Sequence, residues 1–302
     1  MKSKGLYRFS QFISLLLGAR VFVLSFFTFT LYVSTFFLFN QEESLRNFVF
    51  DIKVNGIIFC SVLSIAAGGI INQFYDWDKD SVERPLRVRL QSFVSQKHFL
   101  YTYLFLNALS LVVALFLSYR IFFFFLFYQF VIWFYSHKLS KIAVVNNLTY
   151  VALTLYPFSG MLVYYQHFSV RIMAMAVFLF LILWEVDVMK DVLTQRSDKI
   201  FNYHTLPIVI GKRGTQVVLL LLLLLNAATA VFIYYADYIQ QAGVLSIYFL
   251  VSAGVLLLSM IPIFSFNRKN IFWLMNLLRF WIFIGVLAMF LDGVIPLLKA
   301  FL

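Results

Sequence analysis

The sequence predicts an all-α, polytopic membrane protein with about nine transmembrane helices and a cytoplasmic N-terminus. Three observations carry this reading. Hydrophobic residues make up 63% of the 302-residue chain and charged residues only 12%, with 38 Phe, which exceeds the apolar content of soluble domains. The apolar runs recur at lengths near the ~20 residues that cross a bilayer. The Lys and Arg residues between the runs alternate in density from loop to loop, the asymmetry that orients membrane proteins.

The first run extends from Phe12 to Phe39 behind Lys2, Lys4 and Arg8. It is too long for a signal-peptide core and lacks a small-residue cleavage site, so it reads as a retained first span. The further spans are Gly56 to Phe74, His98 to Ser118, Ile121 to Phe134, Asn147 to Tyr165, Met173 to Met189, Val217 to Tyr235, Val244 to Phe264 and Ile271 to Leu291. With a cytoplasmic N-terminus, the cytoplasmic loops hold Lys79, Arg84, Arg87, Arg89 and Lys97, then Lys138 and Lys141, then Lys190, Arg196, Lys199, Lys212 and Arg213, then Arg268 and Lys269. The opposite face has only Arg46, Lys53, Arg120, Arg171 and Lys299. The net charge of +11 is therefore a topology signal, and a nucleic-acid partner is excluded as its explanation. The spans leave little room for a separate soluble domain, so 1–302 reads as one transmembrane domain. Cys60, the single cysteine, lies in an apolar run, excludes an intrachain disulfide and reads as a buried, inert thiol.

Eight of the thirteen acidic residues fall in two clusters at the cytoplasmic ends of spans: Asp76, Asp78, Asp80 and Glu83, then Glu185, Asp187, Asp191 and Asp198. Carboxylates are costly in so apolar a chain, and such a concentration points to binding. Asn72, Asp76 and Asp80 are spaced by four, which stacks an amide and two carboxylates on one helical face. An oxygen-rich face of this kind suits a hard divalent cation, and with it a phosphate-bearing substrate. The stretches 72–97 and 185–213 also resemble each other. Asp76 and Asp80 recur with the same spacing at Asp187 and Asp191, and each pair is followed by basic residues and a Pro, which hints at a two-fold internal repeat.

Asn72-x3-Asp76-x3-Asp80 followed by Glu83-Arg84-Pro85-Leu86-Arg87 resembles the aspartate-rich signature of the UbiA superfamily of intramembrane prenyltransferases. Lys190-Asp191-x6-Asp198-x6-Thr205-Leu206-Pro207-x3-Gly211 resembles the second aspartate motif of that superfamily. Tyr135-Ser136-x-Lys138-x2-Lys141 before Asn146-Asn147 is a weaker third likeness. The resemblance implies a ring of helices around a central cavity, with the two motifs facing each other at its cytoplasmic end. It implies that Asp76, Asp80, Asp191 and Asp198 hold Mg2+, with Asn72 in the same set. It implies a polyprenyl diphosphate donor that ionises to an allylic carbocation, and a lipophilic acceptor that attacks it within the membrane lipid. Arg84, Arg87, Lys138 and Lys190 supplement the metals on phosphate oxygens.

Two positions depart from the family pattern. Gln73 stands where an acidic residue usually follows the Asn, and Thr194 stands where the second motif has a further Asp. Asp187, four before Asp191, offers a substitute ligand, or Thr194 positions a metal-bound water. Arg20, a third of the way along the first span, either contacts the donor diphosphate, as a basic residue on the first helix does in this family, or snorkels; Arg279 has the same choice. Glu185 either pairs with a basic residue or lines the cavity. Asp78, one position off the Asn72 face, reads as a solvated charge, and Glu83 reads as the partner of a neighbouring Arg. Two other functions are consistent with the acidic clusters: a cation-coupled transporter, and a lipid-binding member of the fold without catalysis.

Overall fold

The computed structural model describes residues 4–40, 44–238 and 243–301, and among them every regular element is helical. In chain order the helices are α1 (Lys4–Gly18), α2 (Val21–Ser34), α3 (Leu45–Phe50), α4 (Ile52–Tyr75), α5 (Trp77–Glu83), α6 (Pro85–Gln91), α7 (Gln96–Leu117) and α8 (Tyr119–His137). They continue as α9 (Val145–Tyr165), α10 (Val170–Ile200), α11 (Leu206–Val209), α12 (Gly211–Tyr238), α13 (Val244–Leu258), α14 (Met260–Ser265) and α15 (Arg268–Phe301). A π-helical turn, Thr35–Phe39, prolongs α2. Lys2, one of the N-terminal basic residues in the topology reading, lies outside the described residues.

The protein is a multi-pass membrane protein. Among the described residues, eight helical runs are long and apolar enough to cross a bilayer: Val21–Phe39, Ile52–Tyr75, Gln96–Leu117, Tyr119–His137, Val170–Ile200, Gly211–Ala236, Val244–Ser265 and Arg268–Pro296. The remaining expected span, Asn147 to Tyr165, forms the 21-residue α9, in which Asn146, Asn147, Thr149 and Thr154 dilute the apolar content.

The run from Phe12 to Phe39 is not one helix, which corrects the sequence reading. α1 ends at Gly18, Ala19 and Arg20 form a turn, and α2 starts at Val21. Arg20 has φ 52°, a left-handed conformation that costs a non-glycine residue on the order of 1–3 kcal/mol unless its surroundings hold it. Here they do. Arg87 Nη2 donates to Leu17 O at 3.2 Å, and Ser14 Oγ donates to Leu90 O, so α6 supplies and accepts bonds along the end of α1. Gly69 on α4 lies so close that a Cβ there would sit 3.0 Å from the carbonyl oxygen of Gly18.

The chain forms two compact units. The first comprises Met1–Tyr32, Glu42–Ser140 and Tyr156–Met161. In it α4 packs on α7 and α8, which pack on each other, and α1 packs on α6 and α4. Small hydroxyl residues allow the close approach of α4 and α7. The Ser64 and Ser110 hydroxyls lie 3.1 Å apart, the buried Cys60 Sγ donates to Ser110 O at 3.3 Å, and Gln129 Nε2 on α8 donates to Ser64 Oγ at 3.2 Å. The second comprises Val33–Gln41, Lys141–Leu155 and Leu162–Leu302, where α10 packs on α12 and α15, and α13 packs on both of those.

Gly69→Val forces a branched side chain into the Gly18 carbonyl, where backbone has to move. Overpacking of this kind costs about 1–3 kcal/mol. The expected outcome is a lower melting midpoint in detergent, measured by intrinsic fluorescence, whereas Val82→Ala at an exposed position should leave it within experimental error.

Candidate functional site

The carboxylates of both acidic stretches lie within helices, save Asp76, which joins two. In the first unit α4 runs into α5 with only Asp76 between them, and the helical hydrogen-bond ladder crosses the junction: Asp76 N to Asn72 O at 2.9 Å, Asp80 N to Asp76 O at 2.7 Å and Arg84 N to Asp80 O at 2.7 Å. Each step advances one turn, so Asn72, Asp76 and Asp80 stack in the register their spacing implies. Asp80 is buried, Asn72 and Asp76 are half-buried, and Asp78 is exposed, as expected of a residue off that face. Glu83 makes an ion pair at 4.0 Å with Lys79, one turn back along α5. Pro85 starts α6, where its missing N–H is no loss, and this turns the chain so that Arg87 reaches α1.

Arg20, Asp80 and Arg84 all act electrostatically on Arg87. Burial and the neighbouring Arg20 hold the Arg87 guanidinium below its ordinary value, while Asp80 pulls it back up and Arg84 pushes it down again. Arg87 remains charged, because an arginine starts so far above neutrality. Arg20 Nε is buried without a hydrogen-bond partner. Arg20 thus sits at a helix break beside Arg87, and not within a continuous span helix. Gln73 does not share the Asn72 face. It is 3% exposed, its Oε1 lies 3.1 Å from where a Gly18 Cβ would be, and neither amide atom has a hydrogen-bond partner. Lys138 follows α8 and is exposed.

In the second unit, Asp187, Asp191 and Asp198 occupy positions i, i+4 and i+11 of α10, which share one face of the helix. All three are buried, as is Glu185. The start of α9 meets that face. Asn147 Nδ2 donates to Asp187 Oδ2 at 2.8 Å and to Asp191 Oδ2 at 2.9 Å, and Asn146 Nδ2 donates to the same Asp191 oxygen at 3.3 Å. Asn147 is fully buried, and its Oδ1 has no hydrogen-bond partner. Lys190 Nζ lies 2.7 Å from Asp187 Oδ1 and 5.4 Å from the centre of the Tyr150 ring. One turn on, Thr194 Oγ1 donates to Asp198 Oδ2 at 2.9 Å, and Thr205 Oγ1 approaches the same oxygen at 3.4 Å. The Thr205-Leu206-Pro207 segment is tied back to α10 by Gln195 Nε2, which donates to Pro207 O at 3.1 Å. Gly211, with φ 70°, then starts α12 in a conformation that side-chain-bearing residues avoid.

Glu185 meets an amide and not the basic residue that was one expectation for it. Its Oε1 accepts from Asn226 Nδ2 of α12 at 3.2 Å, and Oε2 is buried without a partner. Two residues from Asp187, it lies about 200° around the helix from that carboxylate, and so on the other side of α10. Asn226 carried no signal in the sequence, since a lone Asn inside the apolar run of α12 has no spacing to a motif. Among the described residues, no group of three or more His, Cys, Asp or Glu is gathered tightly enough to hold a metal ion by itself.

The chain has recognisable relatives. A family model described as the UbiA prenyltransferase family matches residues 47–284. The digeranylgeranylglyceryl phosphate synthase of Pyrococcus furiosus is 31% identical over 173 residues, which cover 56% of this chain and 61% of that protein. The enzyme of the same name from Thermococcus gammatolerans is 29% identical over 166 residues, covering 53% and 58%. The chain thus matches about six-tenths of the length of these relatives. A solved structure concerned with digeranylgeranylglyceryl phosphate synthase in membranes superimposes with a TM-score of 0.71 at 18% identity, over 94% of this chain and 98% of that one. A UbiA homolog from Archaeoglobus fulgidus bound to GPP and Mg2+ gives 0.64 at 15% identity, over 91% and 99%. At these identities the structural likeness shows a shared fold.

The Asp187 carboxylate is the test of this geometry. Lys190→Met leaves it buried and without its ammonium, so stability should fall by about 1–3 kcal/mol, read as a lower melting midpoint. Asp187→Asn in the same chain removes the stranded charge and should recover part of the loss; a Lys190→Met midpoint equal to that of the parent would show that the pair contributes nothing to the fold.

Proposed function

Because the chain belongs to the UbiA prenyltransferase family, we propose that it is a membrane enzyme that transfers a prenyl group from a polyprenyl diphosphate to a lipophilic acceptor with the help of Mg2+. The observation that carries the reading is the ladder of Asn72, Asp76 and Asp80, held in register across the α4–α5 junction and followed by the Arg84 and Arg87 guanidiniums. The names of the relatives favour a glyceryl phosphate lipid as acceptor and a geranylgeranyl group as the unit transferred.

The residues present fit a hard divalent cation. Asp76 and Asp80 in one motif, and Asp187, Asp191 and Asp198 in the other, are carboxylate oxygens, the donor type that Mg2+ takes. Asn147 Oδ1 adds a buried oxygen with no donor beside the second set. Asp76, Asp80, Asp191, Asp198 and Asp187 would hold Mg2+. When bound, it supplies positive charge to the diphosphate as the carbon–oxygen bond to the prenyl group breaks. The chain's own cations share that task. Arg84 and Arg87 offer forked donors to phosphate oxygens, with Arg20, Lys138 and Lys190 as further positive charges. Asn72 presents an amide one turn from Asp76, which orients a carboxylate or a phosphate oxygen. The acceptor's lone pair forms the new bond to the prenyl carbon, the acceptor proton is lost, and diphosphate departs.

A member of the fold without catalysis is the second reading. What favours it is Thr194, whose hydroxyl bonds Asp198 where the family pattern has a carboxylate, together with the burial of Gln73 away from the Asn72 face. The purified protein, given radiolabelled prenyl diphosphates of graded length and a membrane lipid extract, distinguishes the two. We expect label in the lipid fraction, abolished by EDTA and restored by Mg2+. Asp76→Asn and Asp80→Asn should each lower turnover by at least ~100-fold. Turnover undiminished in chelator would sink the metal-assisted mechanism, and no turnover with any donor length would favour the second reading.

A further inference from the structure

The asparagine at the start of α9 spends both hydrogens of its side-chain amide on two different carboxylates. Asn147 Nδ2 reaches Asp187 Oδ2 at 2.8 Å and Asp191 Oδ2 at 2.9 Å, and an amide nitrogen has two hydrogens to give. Two carboxylates four apart on a helix repel each other and, left alone, would turn apart. Bridged by one amide, both are held in one rotamer on the α9 side of α10. The bridging residue is fully buried, and its own carbonyl oxygen is left beside the pair with no donor.

Thr194 is occupied differently. Its hydroxyl donates to Asp198 Oδ2 at 2.9 Å, so the position that departs from the family pattern serves one carboxylate as a hydrogen-bond donor. Asp187 meanwhile forms a carboxylate pair with Asp191 one turn earlier along α10, and Lys190 supplies the ammonium at its other oxygen.

We infer that Asn147 is a positioning residue that clamps Asp187 to Asp191, and that this pair, with the Asn147 carbonyl oxygen, forms the cation-binding half of the second motif in place of residue 194. The inference rests on the prenyl-transfer reading for its purpose, though not for its test. Groups that orient a metal's ligands typically account for 10–100-fold in metal affinity. Lys190 is the resident cation of the pair: it holds Asp187 Oδ1 until a divalent ion displaces it, so removing the lysine's charge should make that ion bind more tightly.

The test is a titration of the purified full-length chain in detergent with Mg2+ alone, read as the rise in its melting midpoint. The concentration for half the maximal rise should increase at least ~10-fold in Asn147→Ala and in Asp187→Asn, and should fall in Lys190→Gln. In the double variant Asn147→Ala/Asp187→Asn the combined effect should be smaller than the sum of the two, because the amide acts in part through the Asp187 carboxylate. A purely structural role for Asn147 would lower the midpoint without Mg2+ and leave the half-saturating concentration where it was, which overturns the inference. So does an unchanged concentration in Asp187→Asn, an isosteric change that decides the matter alone where Asn147→Ala does not fold. A wild-type chain that Mg2+ does not stabilise at any concentration overturns it as well. A wild-type chain that is stabilised by Mg2+ through these residues yet transfers no prenyl group leaves the inference standing and removes the enzyme reading.

Discussion

Burying carboxylates along one face of a membrane helix imposes the strictest condition on this protein. With no water in the hydrocarbon core, each oxygen needs a partner supplied by the protein, and an uncompensated charge there costs several kcal/mol. α10 carries Asp187, Asp191 and Asp198 on that face, with Glu185 on the other side, all buried, and neighbouring elements supply donors to each of the four carboxylates. The first turn of α9 is polar at Asn146 and Asn147 because it faces two of these carboxylates. Thr205 stands beside Asp198 because the chain leaving α10 folds back through Tyr203, whose N–H donates to Asp198 O at 2.8 Å. An amide from α12 meets Glu185.

The first unit meets the same problem with guanidinium groups. Arg87 lies within electrostatic reach of Arg20, Arg84 and the buried Asp80, and its guanidinium is given a backbone oxygen as well as the field of that carboxylate. Arg87 bonds the carbonyl of Leu17 at the frayed end of α1, a place where helices leave carbonyls without partners. The break at Ala19 and Arg20 therefore has a consequence for charge: it leaves the Leu17 carbonyl, which takes the Arg20 N–H at 3.3 Å, open to Arg87 as well, and moves Arg20 out of a helix interior. The close approach of Gly69 to Gly18 makes that junction compact enough to work.

Several of these features were visible in the residues. The four-residue spacing of Asn72, Asp76 and Asp80 foretells their stacking, because a helix ladder that continues through Asp76 leaves no other arrangement. The exposure of Asp78 follows from the same periodicity. Other features were not visible. Hydropathy averages over a window, so Phe12 to Phe39 reads as one span although the helix breaks inside it at Arg20. The span was expected to end at Met189, with Asp191 and Asp198 in the loop after it, because polar residues dominate there, whereas α10 continues through them to Ile200 with neighbours that donate hydrogen bonds to them. Asn226, in an otherwise apolar helix, becomes meaningful only once α12 packs on α10.

The sequence by itself determined that the chain crosses the membrane many times as helices, because 63% hydrophobic composition and runs near ~20 residues leave a helix as the form that satisfies its own backbone in lipid. It also singled out the candidate residues for the chemistry, since carboxylates and guanidiniums are rare in such a chain and their spacing sets the face they share. Tertiary structure decided what each of them meets. Which amide joins Asp187 to Asp191, whether Glu185 meets a cation or an amide, and whether Arg20 lies in a span or at a break all depend on residues between 40 and 70 positions away in the chain that arrive through helix packing. A hydrogen bond acts over ~3 Å, and sequence spacing specifies distances that short only within a few turns of one helix.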